Sequence, residues 1–250
     1  MSHTHSVRAL PSIIRNFQGE RLDFTFHPGA PANDTLVVVG HGVTGNKDRP
    51  HLVALAEGLA AAGLAVLRVS FSGNGASEGA FTASTITKET ADLGAVLDAL
   101  AGWRIGYAGH SMGGAVGVLR ASRDPRIRFL ISLAGMVHTA AFAQREFGTL
   151  TPGAATMWDN PACPLSAEYM ADMARIGDVL AAGRAVNVPW LLLHGTADDV
   201  VPVQDSEAIK AVAGPQAKLV TLPEGDHGFS EGNAQKMVGT VIDWIRQLPR

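Results

Sequence analysis

The chain has a single cysteine, Cys163, so no disulfide can form within it. A zinc site of the usual Cys/His kind also lacks its thiolates, and no metal is expected. Cys163 reads as a small apolar filler. Charge is scarce too: only 17% of residues are charged, with 20 basic against 23 acidic and a formal net charge of −3. That balance leaves no electrostatic footprint for nucleic acid or an anionic membrane. Long apolar runs are missing as well. None approaches the roughly 18 residues of a membrane span, and residues 1–5 show no basic segment leading into an apolar one. A soluble, cytoplasmic protein is expected, with His3 and His5 read as part of a frayed terminus.

What is present is a composition tilted toward burial. Of 250 residues, 46% are apolar and 28 are glycine. That length supports one sizeable core, with or without an insertion.

The rhythm of the chain gives the fold class. Residues 13–26 alternate around a turn at Gln18-Gly19-Glu20, which predicts an antiparallel hairpin at a sheet edge. Short β-branched or apolar runs follow at 35–39 (TLVVV), 64–71 (LAVLRVSF), 104–108 (RIGYA), 128–133 (RFLISL), 189–193 (PWLLL) and 218–222 (KLVTL). Between them come helical stretches: Leu52 to Ala62 closed by Gly63, a stripe from Ile86 to Leu100 closed by Gly102, and a final amphipathic stripe from Met237 to Leu248. Strands alternating with helices predict an α/β fold, a mostly parallel sheet covered on both faces. Residues 138–187 break the rhythm with Met, Trp, Pro and aromatics and no good strand. A structureless loop of that length is improbable, so the stretch reads as a small helical insertion in a single domain spanning 1–250.

The strongest chemical signal is Gly109-His110-Ser111-Met112-Gly113, a G-x-S-x-G between a strand and a helix. Such a turn lifts the serine hydroxyl above the carboxyl end of the sheet and points helix amides at the same spot. A serine needs a base to take its proton. His227, in Glu224-Gly225-Asp226-His227-Gly228-Phe229, lies in the loop after the last strand, where that base belongs. The other histidines fit less well; His41 and His110 sit in glycine-rich turns, and His194 ends a strand and reads as bonding locally. The orienting acid should lie in between, and Asp198 occupies the turn after PWLLL. Its neighbour Asp199 reads as a cap or a solvent-facing group, and Asp226 is too close in sequence to reach the His227 ring. The oxyanion donors are expected to be the amides of Met112 and Val43, with Thr44 as fallback.

Two glycine-rich stretches do not qualify as phosphate sites. Gly40 to Lys47 has Asn46 between its glycine and lysine and Asp48 where Ser or Thr is needed. Gly73 to Gly79 has its third glycine one place late and is not the first strand–helix turn.

With GHSMGG, HGVTGNK, HGTADDVVP and GDHGF in this order, the chain resembles the α/β-hydrolase superfamily over about residues 12–248. Residues 71–79 (FSGNGASEG) also look like its glycine-rich loop. Within the superfamily it looks most like small bacterial carboxylesterases of the cinnamoyl/feruloyl-esterase-like branch. The resemblance implies Ser111, Asp198 and His227 as a catalytic triad, Val43 and Met112 as the oxyanion hole, and 138–187 as a cap. It departs from that branch at Val43, where an aromatic is usual.

The function expected is hydrolysis of a small-molecule carboxylic ester through an acyl-enzyme, without cofactor or metal. A thioesterase, amidase or acyltransferase would use the same triad, and a non-catalytic binding protein of the same fold is the rival from another class. Phe142, Phe147, Met157, Trp158 and Tyr169 are expected to shape the substrate pocket, with ordinary packing as the alternative for each. A homodimer is left open.

Overall fold

A computed structural model of the chain describes residues 10–230 and 232–249; His3 and His5 lie outside the described residues. Nine strands are present among them: β1 (Ile14–Arg15), β2 (Arg21–Leu22), β3 (Phe24–His27), β4 (Thr35–Gly40), β5 (Ala65–Val69), β6 (Arg104–His110), β7 (Ile127–Leu133), β8 (Trp190–Gly195) and β9 (Ala217–Leu222). The helices are α1 (Pro50–Ala61), α2 (Ile86–Ala99), α3 (Met112–Ala121), α4 (Thr139–Phe147), α5 (Ala167–Ile176), α6 (Leu180–Ala185), α7 (Val203–Val212) and α8 (Asn233–Arg246).

Seven strands form one sheet in the order β3-β5-β4-β6-β7-β8-β9. Only the β3–β5 pairing is antiparallel; all others are parallel. The predicted α/β class, with a mostly parallel sheet and helices on both faces, is what the chain adopts. Successive strand residues point to opposite faces, and here both faces are apolar. Leu36 and Val38 of β4 and Trp190 and Leu192 of β8 join one core with α2 and α3. Val37, Val39, Leu191 and Leu193 join the other with α1 and α8. Each such side chain contributes roughly 1.5–3 kcal/mol by leaving water, which is why these strands read as unbroken apolar runs.

The N-terminal hairpin differs from the expectation. Its turn is where predicted, but β1 and β2 pair only with each other as a separate two-stranded sheet. The next strand, β3, makes the antiparallel edge. Which partner a strand finds is a long-range matter that local alternation does not encode.

Several helix ends follow local rules. Thr85 and Ser166 accept from the amides of Lys88 and Tyr169 and so cap α2 and α5. Pro50 opens α1, and Gly63 ends it at φ 87°. Residues 138–187 run between β7 and β8 and hold α4, a 3-10 turn at Met157–Asp159, α5 and α6, with an isolated antiparallel bridge between Thr156 and Pro164. No helix among the described residues is long and apolar enough to cross a membrane.

The sheet order reverses about β4, which has β5 on one side and β6 on the other. In open parallel sheets ligands bind beyond the carboxyl ends of strands at such a point. The loops after β4, β6, β8 and β9 meet there.

Candidate active site

Ser111 sits between β6 and α3 with φ 55° and ψ −120°, a strained backbone for a residue with a side chain. Three backbone bonds hold it. Its amide donates to Leu133 O at 3.0 Å, and its carbonyl accepts from Gly114 at 2.8 Å and Met136 at 3.0 Å. The flanking glycines are required by close approach: a Cβ at Gly109 would lie 2.1 Å from Gly113 O, and one at Gly113 would lie 2.5 Å from His41 O. The loop after β4 presses equally close, since a Cβ at Gly42 would lie 2.7 Å from Ser111 Cβ.

That loop is held from beneath by His41, which is fully buried. His41 Nε2 accepts from Phe71 N at 3.0 Å, so Nδ1 carries the proton and donates to Gly42 O at 2.9 Å. Burial pushes this imidazole down to about 4, so it is neutral near pH 7. Val43 follows, and Thr44 takes φ 54°. Arg49 then ties the loop by donating to Thr44 O at 2.9 Å. Met112 is the first residue of α3, whose first amides have no partner within the helix. The two amides expected at an oxyanion thus lie on the two segments that flank Ser111.

His227 lies in the loop after β9, and its Nδ1 is 2.8 Å from Asp198 Oδ2. Asp198 has a wholly buried side chain. Its Oδ1 accepts from the amides of Val200 at 2.9 Å and Val201 at 2.8 Å. Burial by itself would push this carboxyl up; hydrogen bonds from His194 and His227 outweigh it and hold the group well below the usual carboxylate range. Asp199 is exposed, and Asp226 turns away to accept from Ser230 N at 2.8 Å. No hydrogen bond among the described residues engages Ser111 Oγ; bonds of that kind commonly tighten only with substrate in place.

Ser111 and His227 line one cleft of about 810 Å³ together with Val43, Thr44, Arg49, His51, His110, Trp158, Phe229 and Gln235. Of the five residues expected to shape the pocket, Trp158 reaches this cleft and is 46% exposed. Phe142, Phe147, Met157 and Tyr169 do not line it and belong to the core instead. Ring-to-ring packing accounts for that: Phe147 stands against Phe142, Trp158 and Tyr169 at centroid distances of 6.3, 5.0 and 6.0 Å.

Two histidines with no expected role sit beside His227. His110 and His227 have ring centroids 4.6 Å apart, and His51 and His110 4.2 Å. Burial, aided by the neighbouring His227, pushes His51 down to about 4. Burial, with His51 and His227, depresses His110 too. His51 comes from α1, and only the folded chain brings it here. Among the described residues no group of three or more His, Cys, Asp or Glu is placed to hold a metal ion.

Known proteins bear on this arrangement. The profile of the prolyl oligopeptidase family matches residues 50–248. A 61-residue stretch is 41% identical to the uncharacterized protein YfhR of Salmonella typhi, covering 24% of this chain and only 21% of that protein. Among solved structures, Est1E from Butyrivibrio proteoclasticus with bound ferulic acid superposes with a TM-score of 0.84 at 24% identity, over 95% of this chain and 98% of that one. Mouse alpha/beta hydrolase domain-containing protein 10 superposes with a TM-score of 0.79 at 22% identity, over 95% and 99%. At such identities the superpositions show a shared fold.

Proposed function

The chain belongs to the prolyl oligopeptidase family and has the α/β-hydrolase fold, and from that premise we propose that it is a serine hydrolase of carboxylic esters. The observation that carries this reading is the Asp198–His227 hydrogen bond of 2.8 Å at a cleft shared with a serine held at positive φ.

In this reading His227 Nε2 takes the proton of Ser111 Oγ as the oxygen attacks the ester carbonyl. Asp198 holds the ring through Nδ1 and stabilises the imidazolium. The amides of Val43 and Met112 receive the oxyanion, which is worth roughly 3–4 kcal/mol per donor in such sites. His227 then protonates the departing alkoxide, and water activated by the same ring releases the acid from Ser111. Besides substrate and water, these steps call only on groups of this chain.

Residues 138–187 serve as a cap within one domain, with Trp158 as the side chain that meets substrate. Est1E, crystallised with ferulic acid, supports an ester with a bulky acyl group as the first substrate to try. Val43 leaves the position after His-Gly without an aromatic ring.

The family's name points to peptide bonds, so amide cleavage is the second reading. It differs in the leaving group: an amine must be protonated before it departs, whereas an alkoxide is protonated as it leaves.

The test has two parts. A fluorophosphonate should label the wild type and fail to label Ser111→Ala. A matched panel of oxygen esters, thioesters and amides should then show kcat/KM highest for the oxygen esters. Absence of labelling in the wild type overturns catalysis, and a preference for amides overturns the ester assignment.

A further inference from the structure

We infer that His194, held by Val201 O and Ser206, is a positioning residue: its Nε2 proton stands against the same Asp198 oxygen that His227 uses and sets how strongly that carboxylate holds the His227 ring. The inference rests on the reading of Ser111, Asp198 and His227 as the triad.

His194 ends β8 and is completely buried. Its Nε2 faces two groups that only accept, Val201 O at 2.9 Å and Asp198 Oδ2 at 3.2 Å. Nε2 therefore carries a proton, which is hydrogen-bonded to Val201 O and also faces the Asp198 carboxylate. Its Nδ1 lies 2.7 Å from Ser206 Oγ on α7. A hydroxyl can donate there, so a ring with its proton on Nε2 satisfies every partner at once. Ser206 is buried and holds the other side of the ring.

Asp198 is thereby held at both oxygens. Oδ1 takes two backbone amides; Oδ2 takes the His227 ring at 2.8 Å and has the His194 Nε2 proton beside it, with the nitrogen 3.2 Å away. Two consequences follow. The carboxylate cannot rotate, so the His227 ring is aimed. Its charge is also partly met by the His194 proton, so it attracts a protonated His227 less than a carboxylate bound by His227 and the amides alone.

The sign is fixed by that second point. Without the His194 donor, Asp198 pulls harder on the His227 imidazolium, and the base stays protonated to higher pH. The acid limb of the rate profile, where His227 must be neutral to act, then moves up. The other titratable or charged groups acting here are Asp226 near Asp198, and His110, His51 and Arg49 on the His227 side. None of them donates to Asp198.

The experiment measures the rate of fluorophosphonate labelling against pH for the wild type, His194→Leu, His194→Gln and Ser206→Ala. The expected result is an acid limb raised by about half a pH unit or more in His194→Leu, with labelling slowed roughly tenfold near pH 7. His194→Gln, whose amide can still donate, should return the limb to within about 0.2 units of wild type. Ser206→Ala should move it in the same direction by less. Imidazole 15N resonances of the wild type should show a proton on His194 Nε2, a readout independent of turnover.

An unmoved limb in both His194→Leu and Ser206→Ala overturns the inference, as does a His194 protonated on Nδ1 alone. Should His194→Leu not fold, the Ser206→Ala profile and the resonances decide. A wild type that never labels defeats the triad reading instead, so the two failures are told apart.

Discussion

His110 Nε2 lies 2.8 Å from the carbonyl oxygen of His227. A carbonyl only accepts, so the imidazole donates. The residue next to the proposed nucleophile thus grips the backbone of the proposed base, across 117 positions of sequence. The turn that carries Ser111 and the loop after β9 are thereby fastened together.

That bond predicts a kcat effect for His110. His110→Ala should lower kcat roughly tenfold or more with KM nearly unchanged, because misplacing the base costs rate rather than binding. His110→Gln should recover part of the loss, since its amide can donate. Steady-state kinetics on one p-nitrophenyl ester suffice. Equal kcat in wild type and His110→Ala would refute the role.

The two adjacent aspartates separate sharply. Asp198→Asn should lower kcat by about four orders of magnitude, because an amide presents a donor where the His227 Nδ1–H needs an acceptor. Asp199→Asn should stay near wild type, its side chain being exposed. Loss of turnover in Asp199→Asn alone would move the acid to the wrong side of the turn and break the assignment.

Glu89 makes stability depend on pH. It is fully buried on α2; Oε1 accepts from Ser84 Oγ at 3.0 Å, and Oε2 has no partner among the described residues. Burial raises its pKa well above the ordinary 4.5. The folded state therefore keeps this proton when the unfolded chain has released it, and stability is lost as pH rises from 4.5 toward the raised value. Glu89→Gln removes the dependence while keeping an acceptor for Ser84. Its melting temperature should match wild type near pH 4.5 and exceed it increasingly toward pH 8, at roughly 2–4 °C per kcal/mol for a chain of this size. Parallel melting curves for the two proteins across that range would show that Glu89 does not titrate this way.

The sequence made the fold legible because its strands are two-sided: runs such as TLVVV and WLLL have no polar face, and only a doubly covered sheet accommodates them. The elbow was legible because its glycines and serine are consecutive. Asp198 and His227 were legible as loop positions after particular strands. What stayed hidden was set by distant contacts. Nothing near His51, His110 or His194 announces that α1, the turn at Ser111 and the end of β8 bring them close to His227 and Asp198. Phe142, Phe147, Met157 and Tyr169 carried the composition of a pocket wall, but the rings fill one another's spaces before they reach the cleft.

Of the aromatics expected at the pocket, Trp158 is the one the core did not absorb, and its backbone shows how it is held out. It sits at φ 47°, ψ 44°, a conformation that disfavours residues with a side chain. The indole Nε1 donates to Glu146 Oε2 at 3.1 Å, and its ring stands 5.0 Å from Phe147. A strained backbone, a hydrogen bond and one packed edge hold the other face toward the cleft. Trp158→Ala should therefore alter selectivity more than folding. The kcat/KM ratio between a bulky and a short acyl p-nitrophenyl ester should change by roughly fivefold, about 1 kcal/mol. The melting temperature should fall by less than about 4 °C, since the half-exposed ring leaves little cavity. Trp158→Gly relieves the backbone while removing the same ring, so it should melt higher than Trp158→Ala and show the same selectivity change. If both variants instead lose rate equally on every ester, with a large drop in melting temperature, Trp158 belongs to the packing of 138–187 and not to the substrate.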